Sequence, residues 1–204
     1  MGRYNTVYDR LHEIAADQNG YFTTKQALTA GYADNTHPFH VKSGNWVREH
    51  RGIYRLAKYP LVGDHPDMVL WYLWSRDRKD KPQGTYSHET ALSFYNLSDV
   101  NPSKLHMIVP PTFRRSSPTP KILILHRSLL HTDDTDSVQG FRITSPLKAI
   151  ADLLTDRTIQ MDHMQQAVKQ AFQRGLITSQ QLETAPRISD TIKKEIEQLG
   201  RNNG

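Results

Sequence analysis

Gly20-Tyr-Phe-Thr-Thr-Lys-Gln-Ala-Leu28, then Gly31-Tyr-Ala-Asp-Asn-Thr-His-Pro-Phe-His-Val-Lys-Ser-Gly44, then Asn45-Trp-Val-Arg-Glu-His-Arg-Gly-Ile-Tyr-Arg-Leu-Ala-Lys58: the reading of these residues decides the fold. Thr23 and Thr24 are residue types that cap helices, and Ala27 and Leu28 share one face of the short helix that follows. Gly31 supplies the positive φ that ends such a helix. Asp34, Asn35 and Thr36 cap a second helix, with Pro38 tolerated in its first turn. That helix is expected to carry Phe39 and Val41 inward and to leave His37, His40, Lys42 and Ser43 facing out, with Gly44 at its end. Trp46–His50 and Ile53–Leu56 are aromatic and β-branched runs joined by a tight turn at Arg51-Gly52. Helix, turn, helix and basic hairpin, in that order, read as a winged helix-turn-helix.

The charge of this stretch agrees with an anionic partner. From Thr36 to Lys58 stand five basic residues (Lys42, Arg48, Arg51, Arg55, Lys58) and one acid (Glu49), a net of +4. A wing tip with Arg48, His50 and Arg51 suits a phosphate backbone, because each phosphate a cation neutralises releases a counterion. Two blander readings stand beside it: a solvated charged hairpin on a small α+β domain, and a winged helix that binds protein.

Working outward, residues 4–18 place Val7, Leu11, Ile14 and Ala15 on one helical stripe, a support packed behind the helix-turn-helix. Tyr59-Pro60 is the expected domain boundary, since Pro disfavours helix at the residue before it. The expected domains are therefore 1–59, the winged helix, and 60–204, with the last four residues frayed. Asp64 to Lys81 reads as a helix with Pro66 near its start. Its apolar surface (Met68, Val69, Trp71, Tyr72, Leu73, Trp74) is wide enough for the core of a second domain or for an interface. The following Arg76-Asp-Arg-Lys-Asp-Lys81 reads as a solvated charged end. Ser87 caps a helix through Tyr95. Leu105–Val109, 121–126 and 138–143 read as strands. Ser145-Pro146 starts a helix carrying Leu147, Ile150, Ala151 and Leu154, and helices near 162–174, 179–185 and 188–199 follow. The fold class is thus α+β: a winged helix, then a mixed α/β domain with a small sheet and several helices.

Composition narrows the function. The chain has 204 residues, 26 Lys+Arg against 21 Asp+Glu, a net charge of +5 and a pI near 9.4. That balance permits an anionic partner without requiring one. There is no cysteine, which excludes disulfides, thiolate zinc sites and cysteine nucleophiles. No apolar run has the length of a membrane span, and the N-terminus has no apolar core like that of a signal peptide; a cytoplasmic protein with no membrane partner is expected. Between Lys104 and His131 lie five cations and no acid, so the 111–120 loop is a second basic patch, carrying Arg114, Arg115 and Lys121. It reads either as a flexible solvated loop or as a contact for an acidic protein or nucleic acid.

Enzymatic signatures are sparse. Ten histidines raise the question of a metal, but His37 and His40 are not completed by a carboxylate motif. His126 and His131, near Asp133, Asp134 and Asp136, match no zinc spacing. Asp134-Thr-Asp136 resembles a two-carboxylate pair without the Gly-Ser turn that holds a nucleotide. No phosphate-binding glycine loop or nucleophile elbow is present. The expectation is no catalysis, no cofactor and no metal. The alternative is a nucleic-acid-processing enzyme targeted by a winged helix, with Asp134 and Asp136 as its candidate acids.

Three segments together resemble a known family, the AbiEi antitoxins of the AbiE abortive-infection, type IV toxin–antitoxin systems. They are Gly20 to Gly31 with Arg51 to Leu56; Ser87-His-Glu-Thr-Ala-Leu92 running into Leu97-Ser-Asp99 and Lys104 to Pro110; and Ile143-Thr-Ser-Pro-Leu-Lys-Ala-Ile-Ala-Asp-Leu-Leu154. The resemblance implies an antitoxin active in phage defence that represses its own operon through the winged helix. It implies a second domain that counters a nucleotidyltransferase-like toxin without a stable complex. It also implies operator DNA with paired half-sites, met by a monomer or by cooperative assembly on the DNA. The expected DNA contacts are Thr24, Lys25, Asn35, Thr36, His37, His40, Lys42, Ser43, Arg48, His50, Arg51 and Arg55; Arg114, Arg115 and Lys121 are the candidates for antitoxicity. The family pattern has an arginine-rich recognition helix. This chain departs from it, which shifts affinity toward the wing.

Overall fold

The computed structural model describes residues 6–60 and 67–201. The expected helix start at residue 4, the Asp64 and Pro66 start of the helix before Trp71, and the terminal residues 202–204 lie outside them. The chain forms two compact units: residues 1–84 with 137–141, and residues 85–136 with 142–204.

In the first unit, α1 (Val7–Ala16) is opened by a capping box: Thr6 Oγ1 accepts from Asp9 N, and Asp9 Oδ2 accepts from Thr6 N at 2.9 Å. Its stripe buries Leu11 and Ala15, as the spacing requires. β1 (Tyr21–Thr23) leads into α2 (Thr24–Ala30), capped reciprocally by Thr23 and Gln26 and ended by Gly31 at φ +109°. A 3-10 turn over Asp34–Thr36 precedes α3 (His37–Lys42); β2 (Trp46–His50) and β3 (Ile53–Leu56) form the hairpin. The sheet order is β1-β3-β2, antiparallel throughout, with Tyr21 opposite Arg55 and Trp46 opposite Leu56. The winged helix-turn-helix is therefore present with its third strand. β1 has three residues, too short for alternation to reveal in sequence.

The core of this unit gathers Leu11, Ala15, Phe22, Ala27, Ala30, Trp46 and Leu56, with Tyr32, Val41, Tyr54 and Tyr59 against it. α4 (Met68–Trp74) packs on β1, β2 and β3. The expected boundary at Tyr59-Pro60 thus gives way to one at Gly84: the apolar face of α4 covers the first sheet rather than forming the core of a second domain. The charged run after it is not simply solvated. Arg76 Nε meets Asp80 Oδ1 at 2.9 Å, and Arg76 Nη2 donates to the Gly52 carbonyl at 3.1 Å. Thr23 Oγ1 also bonds Asp80.

The second unit holds most of a five-stranded sheet in the order β6-β5-β4-β8-β7, the end of β7 and the first residue of β8 being counted with residues 137–141. Its strands are β4 (Thr85–Tyr86), β5 (Leu105–Val109), β6 (Leu123–Arg127), β7 (Thr135–Val138) and β8 (Phe141–Thr144). The strand expected at 138–143 is a hairpin, because Gly140 takes φ +88° and turns the chain. β5 and β6 run parallel, Ile108 opposite His126. The helices are α5 (His88–Phe94), α6 (Pro146–Asp156), α7 (Met161–Gln173), α8 (Ser179–Thr184) and α9 (Asp190–Arg201). α6 starts as the Ser-Pro pair predicts: Ser145 Oγ accepts from Lys148 N at 3.3 Å, with Pro in the first turn. It buries Ala149, Ile150, Leu153 and Leu154 and contacts α5, α7 and α9. α9 buries Ile196 and ties to α6 through Arg157 and Glu195, which form a two-pronged pair. Among the described residues no helix is long and apolar enough to cross a membrane.

Gly20 gives a test of the first unit. It sits at φ +82°, and a Cβ there would lie 2.6 Å from Cγ of Tyr59. Both backbone strain and overlap oppose a side chain, so Gly20→Ala is expected to lower stability by about 1–3 kcal/mol. Denaturant unfolding measures this; a loss under about 0.5 kcal/mol, the range of an ordinary surface change, would show that Tyr59 yields freely.

Candidate nucleic-acid interface

The face formed by α3 and the β2–β3 hairpin is where the expected DNA contacts fall, and the structure sorts them. A six-residue helix turns about 100° per residue, so positions two apart lie on nearly opposite sides. Phe39 and Val41 cannot both face in. His37 and Val41, four apart, share the inner side instead, and Phe39 is thrown outward, 65% exposed. His37 is 2% exposed. Its ring lies 5.2 Å from Trp46 and 5.8 Å from Tyr54, centroid to centroid, and its Nδ1 is 3.4 Å from Asp34 Oδ1. His37 is therefore a core residue, not a DNA contact, and a carboxylate does stand beside it. His40 is half-buried, stacked on Trp46 at 4.7 Å and edge-on to Tyr32 at 4.9 Å. The ring is positioned by the core and leaves only part of itself to a groove.

The exposed surface of this region carries Asn35, Phe39, Lys42, Ser43 and Asn45. Thr36 donates to the Ala33 carbonyl (2.6 Å) and Ser43 to the His40 carbonyl (3.2 Å), and the Ser43 hydroxyl accepts from Asn45 Nδ2 at 3.0 Å. The outward Phe39 corrects the expectation that it faces in, and the helical period anchored at Pro38 is the signal that finds it. An exposed aromatic ring here offers apolar contact to a thymine methyl.

On the wing, Arg48 and Arg51 are exposed, the second at the hairpin tip. His50 is half-buried, its ring 5.9 Å from Trp71. Arg55 is a correction. Its Nε donates to Glu49 Oε1 at 2.7 Å, and the two side chains keep 13% and 24% of their exposure. Val47 stands opposite Arg55 in the ladder, and Glu49, two residues on, shares its face of the hairpin. A cation so paired is not available to a phosphate. At the start of α2, Thr24 is half-buried, and Lys25 Nζ donates to the Arg78 carbonyl at 2.5 Å. The cations left outward in this region are Arg48, Arg51, Lys42 and Lys58.

The second patch lies in the other unit. Arg114 and Lys121 are exposed and Arg115 is half-buried. The loop is more ordered than a solvated strap: Phe113 is buried, and Arg114 and Arg127 both donate to the carbonyls of Pro111 and Phe113, at 2.9–3.2 Å. The acids of the enzymatic alternative are engaged. Asp134 takes a two-pronged contact from Arg187, both arms 3.1 Å, and Asp136 accepts from the Tyr95 hydroxyl at 2.7 Å. Burial pushes the Asp134 carboxyl up, but Arg187 and the His131 amide together hold it below its ordinary value. Burial and Asp136 raise the Tyr95 phenol well above its own.

Residues 9–57 match the AbiEi family described as "Transcriptional regulator, AbiEi antitoxin". The matched segment is the winged helix from α1 to the end of β3. The chain is similar in structure to the RV2827C protein from Mycobacterium tuberculosis, with a TM-score of 0.60 and 11% identity, over 95% of this chain and 76% of that one. At that identity the likeness shows the fold alone. Comparison with curated proteins finds no match. The sequence resemblance to AbiEi antitoxins is thus shown through the winged helix, and the match is to a family of antitoxins with a regulatory role.

Two outcomes follow from the sorted face. Arg48→Ala with Arg51→Ala removes cations that meet phosphates, which position without specifying. The double variant should weaken binding to all duplexes alike and reduce the slope of log K on log salt by about 0.9 for each phosphate no longer neutralised. Unchanged slope in a folded variant would move the wing contact elsewhere. His37 supplies a pH test. Burial lowers its imidazole below the ordinary value, against the opposing pull of Asp34. The unfolded chain binds that proton at about pH 6.5, the folded one only at lower pH. The contribution to stability is therefore full above about 6.5 and is lost as pH falls through the folded value. His37→Phe should show a smaller drop in Tm between pH 7 and 5 than the unaltered chain; an equal drop would place the dependence on other groups.

Proposed function

We propose that this chain is a DNA-binding antitoxin that represses its own operon and acts without catalysis. The observation that carries the reading is the winged-helix unit: its residues 9–57 match a family of antitoxin transcriptional regulators, and it presents Arg48 and Arg51 exposed beside the outer face of α3. Arg48, Arg51, Lys42 and Lys58 supply phosphate affinity. Asn35, Ser43 and Phe39 supply discrimination, since a side-chain amide pairs with adenine and an apolar ring with a thymine methyl. The operator carries paired half-sites, with spacing near one helical turn of about 10 bp if two copies share a face of the duplex. The second unit, with its own sheet and helical core, counters a nucleotidyltransferase-like toxin without a stable complex, as in type IV systems of phage defence, in the cytoplasm.

The test separates the two activities in one full-length chain. A reporter driven by the operon's promoter reads repression, and growth of cells expressing the neighbouring toxin reads antitoxicity. Arg48→Ala with Arg51→Ala should release the reporter and leave rescue intact. Alanine at Arg114, Arg115 and Lys121 should leave repression intact and reduce rescue. A folded wing variant that still represses fully would sink the DNA-binding reading. Loss of rescue in the wing variant, with the second-unit variant unaffected, would reverse the division of labour.

A further inference from the structure

Three histidines that stand far apart in sequence meet in the second unit. His88 opens α5 and is 4% exposed. His106 lies on β5 and His126 on β6. Because Ile108 pairs with His126 and alternate residues of a strand share a face, His106 and His126 project from the same side of the sheet. His106 Nδ1 and His126 Nε2 are 3.1 Å apart. The His88 ring stacks on His126 at 3.7 Å and lies 5.9 Å from His106, centroid to centroid. One ring nitrogen from each of the three lies within 4.8 Å of the other two.

The surroundings hold this cluster together. The Ser87 amide donates to the His106 carbonyl at 3.0 Å, and the His106 amide donates to Thr90 Oγ1 at 2.7 Å. The start of α5 is therefore stitched to β5 on both sides of His88. Ser87 stands at the N-cap, but its hydroxyl lies 2.8 Å from His88 Nδ1 and makes no bond to the helix backbone. His88 itself sits at φ +53°. A side chain in that left-handed region is strained and persists where its surroundings impose it, commonly at a ligand clamp. Two carboxylates lie alongside. Asp156 Oδ2 is 3.2 Å from His88 Nε2. Asp152, one helical turn earlier, bonds Lys148 through Oδ1, while its Oδ2 is buried with no hydrogen-bond partner.

We propose that His88, His106 and His126 bind one divalent transition-metal ion, zinc being the best fit, with Asp156 as the supporting carboxylate of His88. Zinc takes imidazole nitrogens at about 2.0–2.1 Å, so tetrahedral ligands lie about 3.3–3.4 Å apart. The His106–His126 pair is already near that separation; a turn of the His88 ring out of its stack completes the set. A carboxylate on a ligating histidine fixes the ring and raises its basicity. The ion would also offset the carboxylate charge that Asp156 brings beside the cluster. The site joins α5 to two strands, so binding adds directly to the stability of this unit. This inference is independent of the DNA-binding reading.

The experiment uses the full-length chain, stripped with chelator and titrated with zinc sulfate by calorimetry and by thermal unfolding. One equivalent per chain and a rise in Tm are expected, and cobalt in place of zinc should show the visible bands of tetrahedral coordination. His106→Gln with His126→Gln should abolish both effects. Asp156→Ala should weaken affinity by about 10–100-fold. His12→Ala, an exposed histidine of the other unit, should change neither. Zinc binding that is absent or non-stoichiometric in the unaltered protein overturns the proposal, whether or not the variants fold. So does stoichiometric binding that survives in a folded double glutamine variant. DNA binding measured on the same stripped and loaded samples reports separately on the winged helix.

Discussion

The Trp46 ring is the contact on which the winged helix depends. It is 3% exposed and touches five other rings: Phe22 edge-on at 4.9 Å, Tyr32 at 4.9 Å, His37 at 5.2 Å, His40 stacked at 4.7 Å and Tyr54 at 5.6 Å. Those partners come from β1, the turn after α2, α3 and β3. A six-residue helix has almost no stability of its own, because nucleation uses up most of what its hydrogen bonds return. Here α3 stands because two of its histidines lie against one indole. Aromatic pairs contribute about 0.5–1.5 kcal/mol each beyond their buried area, so this one side chain sets both the existence and the angle of the helix that presents Phe39 and Lys42. The outer face is a consequence of the inner one.

The second unit depends on a different constraint. β5 and β6 are parallel, and a parallel pair needs a crossover rather than a tight turn. The chain between Val109 and Leu123 makes that crossover, pinned by Phe113 and by the arginines that bond its carbonyls. Parallel pairing brings His106 and His126 to one side. α5, fixed by Ser87 and Thr90 to β5, brings His88 to them. The basic loop and the histidine cluster are thus two products of one topological choice, the first at the surface and the second inside.

Local signals in the sequence were legible where local chemistry decides. The Thr23 cap, the Gly31 stop, Pro38 in a first turn, the Arg51-Gly52 hairpin and the Ser145-Pro146 helix start all rest on residues within four positions of one another. The match of residues 9–57 to a regulator family rests on the same stretch. Readings that needed a partner from elsewhere failed. α4 read as the core of a second domain or as an interface, because its apolar width says how much it buries and not against what. Arg55 looked like a free cation because which side chain meets it across the hairpin is a property of the paired strands.

By itself the sequence determined that a winged helix-turn-helix opens this chain, that its hairpin is basic, and that a helix-rich unit with a small sheet follows. Periods, caps and turns are short-range, and each is written in a few adjacent residues. Only the tertiary structure decided which side chains of α3 face out, which arginines of the wing keep their charge unpaired, and that His88, His106 and His126 come together from three separate elements. Those outcomes are set by strand register and by packing against residues distant in the chain, and neither is encoded in any local window.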